Sequence, residues 1–318
     1  MGILRISLLG SVRIVHDDRR SEVKITPKAK DLLAYLLLHG VRLHARERLM
    51  GVFWGDHPQE RARSCLSTTL WRLRRALEPE GVPQGTYLVT RPKGYVGFNW
   101  ESEHWLDVAA FEGQIAPVLT QPIQVVSAVE IQSLESTLHL YTGDLLESYY
   151  HDWALREQER LRCLYLDCLE HLMRYYQHHG FHEQSLAYGQ QILEHDPLHE
   201  EIHREMMRIY LANGQRAMAV RQYDRLCSIM AEEEKDFTPL EETQALYAQA
   251  LEGDDQCQEQ ATMPVRRSGL QQAAKQICLI ARHLDEVRQR HELIHEQLEQ
   301  TQLQLRQALQ LIERLMEP

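Results

Sequence analysis

Over residues 3–25 the chain alternates apolar and polar side chains, which is the period of a β-strand with one buried face. The Asp17-Asp18 step interrupts the alternation as a turn, so the pattern predicts two or three short strands. After Thr26, an N-cap residue, and Pro27, which suits the first helical position, the period becomes that of an α-helix that ends at Gly40. Its apolar positions are Ala29, Leu32, Leu33, Leu36 and Leu37.

Two further helices and a hairpin are predicted in the rest of the first hundred residues, which we call the head. A short helix fits residues 46–53, and a longer one fits residues 60–77. Two β-rich runs then flank residues 91–94 and predict a hairpin. The head is thus expected to be an α+β unit of strands, three helices and a hairpin.

The middle of the chain, residues 101–252, is called the body and is predicted to be helical. From Val125 onward the apolar spacing is helical and proline is rare. Gly180 and Gly214 lie 34 residues apart, and a small residue, Ser185 or Ala219, follows each of them five positions later. This period and these small residues are typical of tetratricopeptide-type helical hairpins. The fold class is therefore mainly α.

The last part of the chain has the most regular pattern. Residues 253–269 are predicted as a linker, and residues 270–316 as a coiled-coil helix, because apolar residues recur at the a and d positions of nearly seven heptads. His291 and Thr301 weaken this apolar seam. The heptads predict a homodimer or pairing with another coiled coil.

The third predicted helix has two contrasting faces. Ala62, Leu66, Leu70, Leu73 and Leu77 share one face, which must be buried. The other face and its flanks carry Arg61, Ser64, Ser67, Thr68, Trp71, Arg72, Arg74 and Arg75. Arginine suits guanine edges and phosphates, and Ser or Thr hydroxyls suit either. This face is either a DNA-reading surface or a solvated cationic face, and Trp71 either contacts a groove or packs under the body.

The distribution of charge favours the DNA interpretation. The chain of 318 residues has a net charge of −11, but residues 1–100 hold 17 Lys and Arg against nine Asp and Glu, a net charge of +8. Residues 101–318 hold 18 against 37, a net charge of −19. A basic unit joined to an acidic one is typical of a nucleic-acid-binding domain with an attached partner domain. Six scattered cysteines and the lack of a long apolar run predict a cytoplasmic protein that does not enter the membrane.

Several motifs together resemble a known family. "ITPKAKDLLAYLLLHG", "RERLMGVFWGD", "LWRLRRAL" and "TYLVTRPKGYVGF" resemble the OmpR/PhoB-type winged helix in the form found in SARP-type regulators. "LYTGDLLESYYHDWALREQERLRCLYLDCLEHLMRYY" and "HDPLHEEIHREMMRIYLANGQRAMAVRQYDRLCSIM" resemble the bacterial transcriptional activator domain (BTAD) that follows it. Three features depart from the pattern. Val96 replaces a frequent arginine, Ala45 replaces a capping serine, and "EEEKDFTP" replaces the usual Leu-Gly before the last helix.

The resemblance implies a sequence-specific DNA-binding transcriptional regulator, with a winged helix in residues 1–100 and a BTAD in residues 101–252. It implies activation from promoter repeats through contact with RNA polymerase, with double-stranded DNA as the first partner. Residues 62–77 match the recognition helix, Thr26 and Lys28 match the start of the first helix, and Arg91, Lys93 and Tyr95 match the wing. With the eight polar residues of the third helix, these complete the expected DNA-binding set.

The residues that other functions would need are not arranged for them. His195, His199 and His203 are spaced by four residues, but Pro197 interrupts a shared helical face, so a metal site is not expected. No nucleophile–base pair or phosphate-binding loop is present, so neither an enzyme nor a cofactor is expected. The alternative is a protein-interaction scaffold, in which the helical repeats and the coiled coil act and the winged helix binds no DNA.

Overall fold

A computed structural model describes residues 2–17, 21–147, 149–233 and 238–258 of the chain. The described part is mainly helical, with two small sheets in the head and at the start of the body. The head contains β1 (Leu4–Ser7), β2 (Arg13–His16), β3 (Ser21–Glu22), α1 (Pro27–Leu38), β4 (His44–Ala45), α2 (Arg46–Trp54), α3 (Gln59–Leu77), β5 (Leu88–Arg91) and β6 (Tyr95–Phe98). The strands, three helices and hairpin predicted for the head are all present.

The first sheet has the order β3-β2-β1-β7, where β7 is His104–Leu106. Strands β1 and β2 are antiparallel, and β7 joins the other side of β1 in parallel. Along β1 the side chains of Leu4 and Ile6 are fully buried, while Arg5 between them is exposed. This is the alternation from which the strand was predicted.

The three helices of the head pack beside a second sheet of order β4-β6-β5. Helix α1 begins at Pro27 as expected; Thr26 has the extended backbone of an N-cap residue, but its side chain makes no capping hydrogen bond. Helices α2 and α3 differ from the predicted bounds by one residue. Gly94 closes the β5–β6 hairpin with a φ of +78°, a conformation that favours glycine.

The body continues with α4 (Asp107–Leu119), α5 (Ala128–Leu138), α6 (Asp152–His178), α7 (His182–His195), α8 (Glu200–Ala212), α9 (Arg216–Glu233) and α10 (Glu241–Gln258). Helices α6 and α7 pack as one antiparallel pair, and α8 and α9 as another. Gly180 and Gly214 have φ values of +77° and +71° in the two connecting turns. Ser185 and Ala219 are fully buried. The predicted helical hairpins are therefore present, and the small residues lie in the packed interior.

The head and the first part of the body share one core. The backbone N–H of Leu146 donates to the carbonyl of Leu8 at 2.9 Å, and the N–H of Gly10 donates to the carbonyl of Asp144 at 3.0 Å. Residues Met1–Leu251 accordingly form a single compact unit. The boundary at residue 100 stays a prediction, although β7 lies beyond it and belongs to the first sheet.

The C-terminal predictions fall largely outside the described residues. Helix α10 continues to Gln258, six residues into the predicted linker. The rest of that linker and the predicted coiled coil, residues 270–316, lie outside the part of the chain that the structure describes. Within the described part, no helix combines the length and the apolar character needed to cross a bilayer.

Candidate nucleic-acid interface

Helix α3 separates a buried face from an exposed one, as its sequence predicts. The buried side chains are Ala62, Leu66, Thr69, Leu70, Leu73 and Leu77. Exposed positions include Arg61, Ser64, Ser67, Thr68, Trp71, Arg72 and Arg75. The leucine face fixes the helix against the core of the head, and this burial sets the direction of the polar face. Seven of the eight predicted α3 site residues therefore share an exposed surface.

The eighth, Arg74, is turned towards the hairpin. Its Nη2 donates to the Thr90 hydroxyl at 2.9 Å and to the Leu88 carbonyl at 3.3 Å. Its Nε lies 3.6 Å from Oε2 of Glu78. These contacts tie α3 to strand β5, so Arg74 has the contacts of a residue that holds the fold. A role for it in DNA binding stays a prediction.

Glu78, at the end of α3, is the centre of this attachment. Its side chain is only 1% exposed. Oε1 accepts the backbone N–H of Tyr87 at 2.9 Å and of Leu88 at 3.0 Å, and Oε2 accepts that of Gly85 at 3.0 Å. A single carboxylate therefore fixes the loop before the hairpin, and with it the position of β5 beside α3.

Trp71 is 58% exposed and does not pack under the body. The guanidinium carbon of Arg75, one helical turn further along, lies 5.4 Å from the centroid of the Trp71 ring. This is within the range of a cation–π interaction. The two side chains form a stacked pair on the outer face of α3, which answers the question that the sequence left open about Trp71.

The predicted wing lies beside α3. Arg91 ends β5 and Tyr95 begins β6, and both are exposed, Tyr95 by 42%. Lys93 lies between them in the 3-10 turn Pro92–Gly94. Val96, where the resembled family often has an arginine, is fully buried, so its side chain offers nothing to a groove.

Arg46 was missed at the sequence level. It begins α2, and its Nη2 donates to the Ser67 hydroxyl on α3 at 2.6 Å. A Cβ atom on Gly94 would lie 3.3 Å from the Arg46 Cδ, so the wing packs directly on this side chain. Helical spacing cannot relate a residue of α2 to one of α3 and one of the wing. The only local signal was the position of Arg46 as a basic residue at the start of the predicted helix.

Together these side chains line a groove between α3 and the hairpin. Its volume is about 470 Å³, and its lining includes Arg46, Ser67, Trp71, Arg75 and Thr90. The lining also includes Leu70, Val82 and the carboxylate of Glu78, and its arginines and hydroxyls suit an anionic, hydrogen-bonding partner.

Two known domain families match this chain. Residues 20–96 match the family "Transcriptional regulatory protein, C terminal", and residues 106–251 match the bacterial transcriptional activator domain. The transcriptional regulatory protein MoaR1 of Mycobacterium tuberculosis is 27% identical over 245 residues, which cover 71% of this chain and 72% of MoaR1. The two matched domains follow each other along the chain in the order that is typical of a single regulator family. The chain belongs to the SARP/BTAD-type bacterial transcriptional regulators.

Two further proteins are similar to this SARP/BTAD-type regulator. The regulatory protein AfsR of Streptomyces coelicolor is 26% identical over 233 residues, which cover 73% of this chain but only 23% of AfsR. The structure of Mycobacterium tuberculosis EmbR in complex with a low-affinity phosphopeptide has a TM-score of 0.64 at 18% identity, and covers 88% of this chain and 72% of EmbR. At that identity, EmbR shows the shared fold.

At the start of α1 in the regulator, Thr26 is exposed and Lys28 is partly buried. The Lys28 Nζ lies 3.6 Å from the Asp31 carboxylate and 5.8 Å from the centroid of the Phe53 ring. Nε2 of His151, from the body, lies 3.8 Å from the same carboxylate. Burial raises the pKa of Asp31, against the opposing effect of Lys28 and His151. Lys28 therefore lies both at the predicted backbone contact and at the junction of head and body.

The histidines considered for a metal have other surroundings in the regulator. His203 is fully buried; its Nε2 lies 3.0 Å from the carbonyl of Pro197, and the Gln222 amide lies 2.9 Å from its Nδ1. The ring of His195 packs edge-on against Tyr165. Among the described residues, no three His, Cys, Asp or Glu side chains are placed to hold a metal ion.

Proposed function

We propose that this regulator binds double-stranded DNA at specific sites, with α3 in the major groove and the β5–β6 hairpin beside it. The observation that carries the proposal is the exposed face of α3, where hydroxyls, one indole and arginines lie opposite the buried leucines. An α-helix fits the width of the major groove, and these side chains match the acceptors that bases and phosphates present. The net charge of +8 on residues 1–100 supplies the attraction to phosphate.

The proposed contacts divide into two groups. Arg75, Trp71 and Thr68 lie on the exposed face of α3 and are assigned to base edges. Phosphate contacts are assigned to Arg61 and Ser64 towards the N-terminal end of the same face, to Ser67 and Arg72 on its flanks, and to Thr26, Lys28, Arg91, Lys93 and Tyr95 at the start of α1 and on the wing. The phosphate contacts set register and affinity, and the base contacts set specificity.

The family supports a further proposal, that the chain activates transcription. It would occupy direct repeats near a promoter and contact RNA polymerase through the head and body. The heptads at residues 270–316, outside the described residues, support a homodimer. No catalytic step is part of this function, and the matched relatives named above are regulators.

The test uses the full chain, because β7 and the backbone contacts to Leu146 tie the head to residues beyond position 100. A gel-shift titration on the promoter region of its own gene should show a saturable complex that excess unrelated DNA does not remove. Arg75→Ala should weaken it by about 1–3 kcal/mol, the value of a bidentate base contact. The matched control is Arg156→Ala, an exposed arginine on α6.

The same titration distinguishes the scaffold alternative. A scaffold would bind promoter and unrelated DNA equally weakly, and Arg75→Ala would behave like Arg156→Ala. Equal behaviour of these two variants removes Arg75 from the interface. Failure of the wild-type chain to prefer any sequence contradicts the proposed function as a whole.

A further inference from the structure

The outer face of α3 presents an indole and a guanidinium as one stacked unit. Trp71 is 58% exposed, and the Arg75 guanidinium carbon lies 5.4 Å from its ring centroid. A free arginine side chain populates many rotamers, and stacking on an aromatic face restricts them. The stack therefore biases Arg75 towards one conformation before any partner arrives, and less conformational entropy is lost when it binds.

The adjacent Arg74 shows how differently two neighbouring arginines are used. Arg74 directs its donors at Thr90 and Leu88 and lies against the buried Glu78. The described neighbour of Arg75 is the face of Trp71, and both side chains line the groove beside the hairpin. Arg74 is thus engaged inside the fold, whereas Arg75 lies on the exposed face, where an external partner can reach it.

The chemistry of the two groups specifies what they can read. An arginine fork matches the O6 and N7 acceptors of guanine, which lie side by side on the edge of the base. An indole has one N–H donor and is otherwise apolar, so its face gains little from phosphate and more from an apolar group. In the major groove the apolar group on a base edge is the C5 methyl of thymine.

We propose, on the basis of the proposed function, that Trp71 and Arg75 together read a guanine and a thymine on adjacent base pairs. Arg75 donates to O6 and N7 of the guanine, and the Trp71 ring packs on the thymine methyl. The separation of 5.4 Å between the two groups restricts them to neighbouring positions, since base pairs are spaced by about 3.4 Å. The pair acts as a specificity determinant within the α3 face.

Base analogues test this assignment directly. The full chain first selects binding sites from a pool of random duplexes. Each thymine of the selected site is then replaced by deoxyuridine, which lacks the methyl, and each guanine by 7-deazaguanine, which lacks N7. One deoxyuridine replacement should weaken binding about fourfold, the value of one buried methyl group. The 7-deazaguanine at the adjacent pair should weaken it at least about fivefold.

Variants connect each effect to its side chain. In Trp71→Ala, thymine and deoxyuridine should bind equally, while the preference for guanine over 7-deazaguanine remains. Arg75→Lys keeps the charge but loses the fork, so it should lose the guanine preference and retain much of the affinity at low salt. Tyr150→Ala, which removes an aromatic side chain of the body that is 83% exposed, is the matched control and should change neither preference.

The outcomes separate this proposal from the function on which it rests. The proposal is overturned if the chain binds equally well with deoxyuridine in place of thymine at every position of the selected site. It is also overturned if the Trp71→Ala chain still binds thymine and deoxyuridine differently. Effects at a thymine and a guanine several pairs apart also overturn it. Selection that enriches no sequence at all contradicts sequence-specific DNA binding itself.

Discussion

Replacing Glu78 by alanine tests the attachment of the β5–β6 hairpin to helix α3. The substitution removes the acceptor for the backbone N–H groups of Gly85, Tyr87 and Leu88, and leaves Arg74 without its carboxylate partner. Each buried N–H group left without an acceptor costs about 1–3 kcal/mol, and loss of the Arg74 ion pair, whose arginine is 25% exposed, costs less than the about 3–5 kcal/mol of a fully buried pair. Because these costs overlap, we expect a total loss of about 3–5 kcal/mol in the free energy of unfolding.

Thermal unfolding followed by circular dichroism measures this loss. In a unit of this size, a loss of 3–5 kcal/mol corresponds to a Tm about 6–20 °C lower. Glu78→Gln retains one carbonyl acceptor, so its Tm should lie between those of the wild type and Glu78→Ala. Glu101→Ala, which removes an exposed carboxylate, is the control and should leave Tm unchanged. A Glu78→Ala chain whose Tm is within about 2 °C of the wild type would refute the assigned role of Glu78.

Three other perturbations follow from the described contacts. Arg46→Ala removes the link between α2, Ser67 and the wing, and should weaken DNA binding about tenfold in a gel-shift titration. Asp107→Ala leaves the backbone N–H groups of Leu8 and Leu9, just after β1, without the carboxylate that accepts them at 2.7 and 2.9 Å, and should lower the free energy of unfolding in urea by about 2–4 kcal/mol. Burial lowers the pKa of His203 from its ordinary value of 6.5, so on acidification the unfolded chain takes up this proton at a higher pH than the folded chain does. Tm should therefore fall as the pH is lowered from about 7.5 to about 5.5.

Each of these three predictions has its own control variant. Arg48→Ala changes an exposed arginine of the same helix and should affect DNA binding less than Arg46→Ala; equal effects would remove the specific role of Arg46. Asp167→Ala, in the middle of α6, changes an exposed acidic residue and should leave stability nearly unchanged. Gln222→Glu places a carboxylate beside His203 Nδ1 and should flatten the pH dependence of Tm; an unchanged profile would contradict the assignment to His203.

The spacing of hydrophobic residues predicts most of the helices and strands, because each turn of a helix buries the same face. The leucines of α3 repeat at helical spacing, and their burial alone directs seven polar residues outward. Likewise, Gly180 and Gly214 predicted the turns of the two helical hairpins, since a positive φ is a local demand of the chain. These features are encoded within a few neighbouring residues.

The same spacing cannot predict contacts between segments that are far apart in the sequence. Arg74 and Arg75 are adjacent in sequence and equally basic, and only the approach of β5 and the buried Glu78 turns the first one inward. Arg46 meets Ser67 and Gly94 through three separate elements. Strand β7 has three residues, too few to show a period, and its partner is the first strand of the chain.

The salt dependence of DNA binding by the full chain tests the central claim most directly. Contacts with phosphate release counterions, so the logarithm of the binding constant should fall linearly with the logarithm of the salt concentration, by about 0.9 for each phosphate contacted. With cations from α1, α3 and the wing engaged, we predict a slope of about −4 or steeper, and tighter binding to a selected site than to a scrambled duplex. A slope near zero with equal binding to both duplexes would contradict DNA recognition by α3 and favour the interaction scaffold.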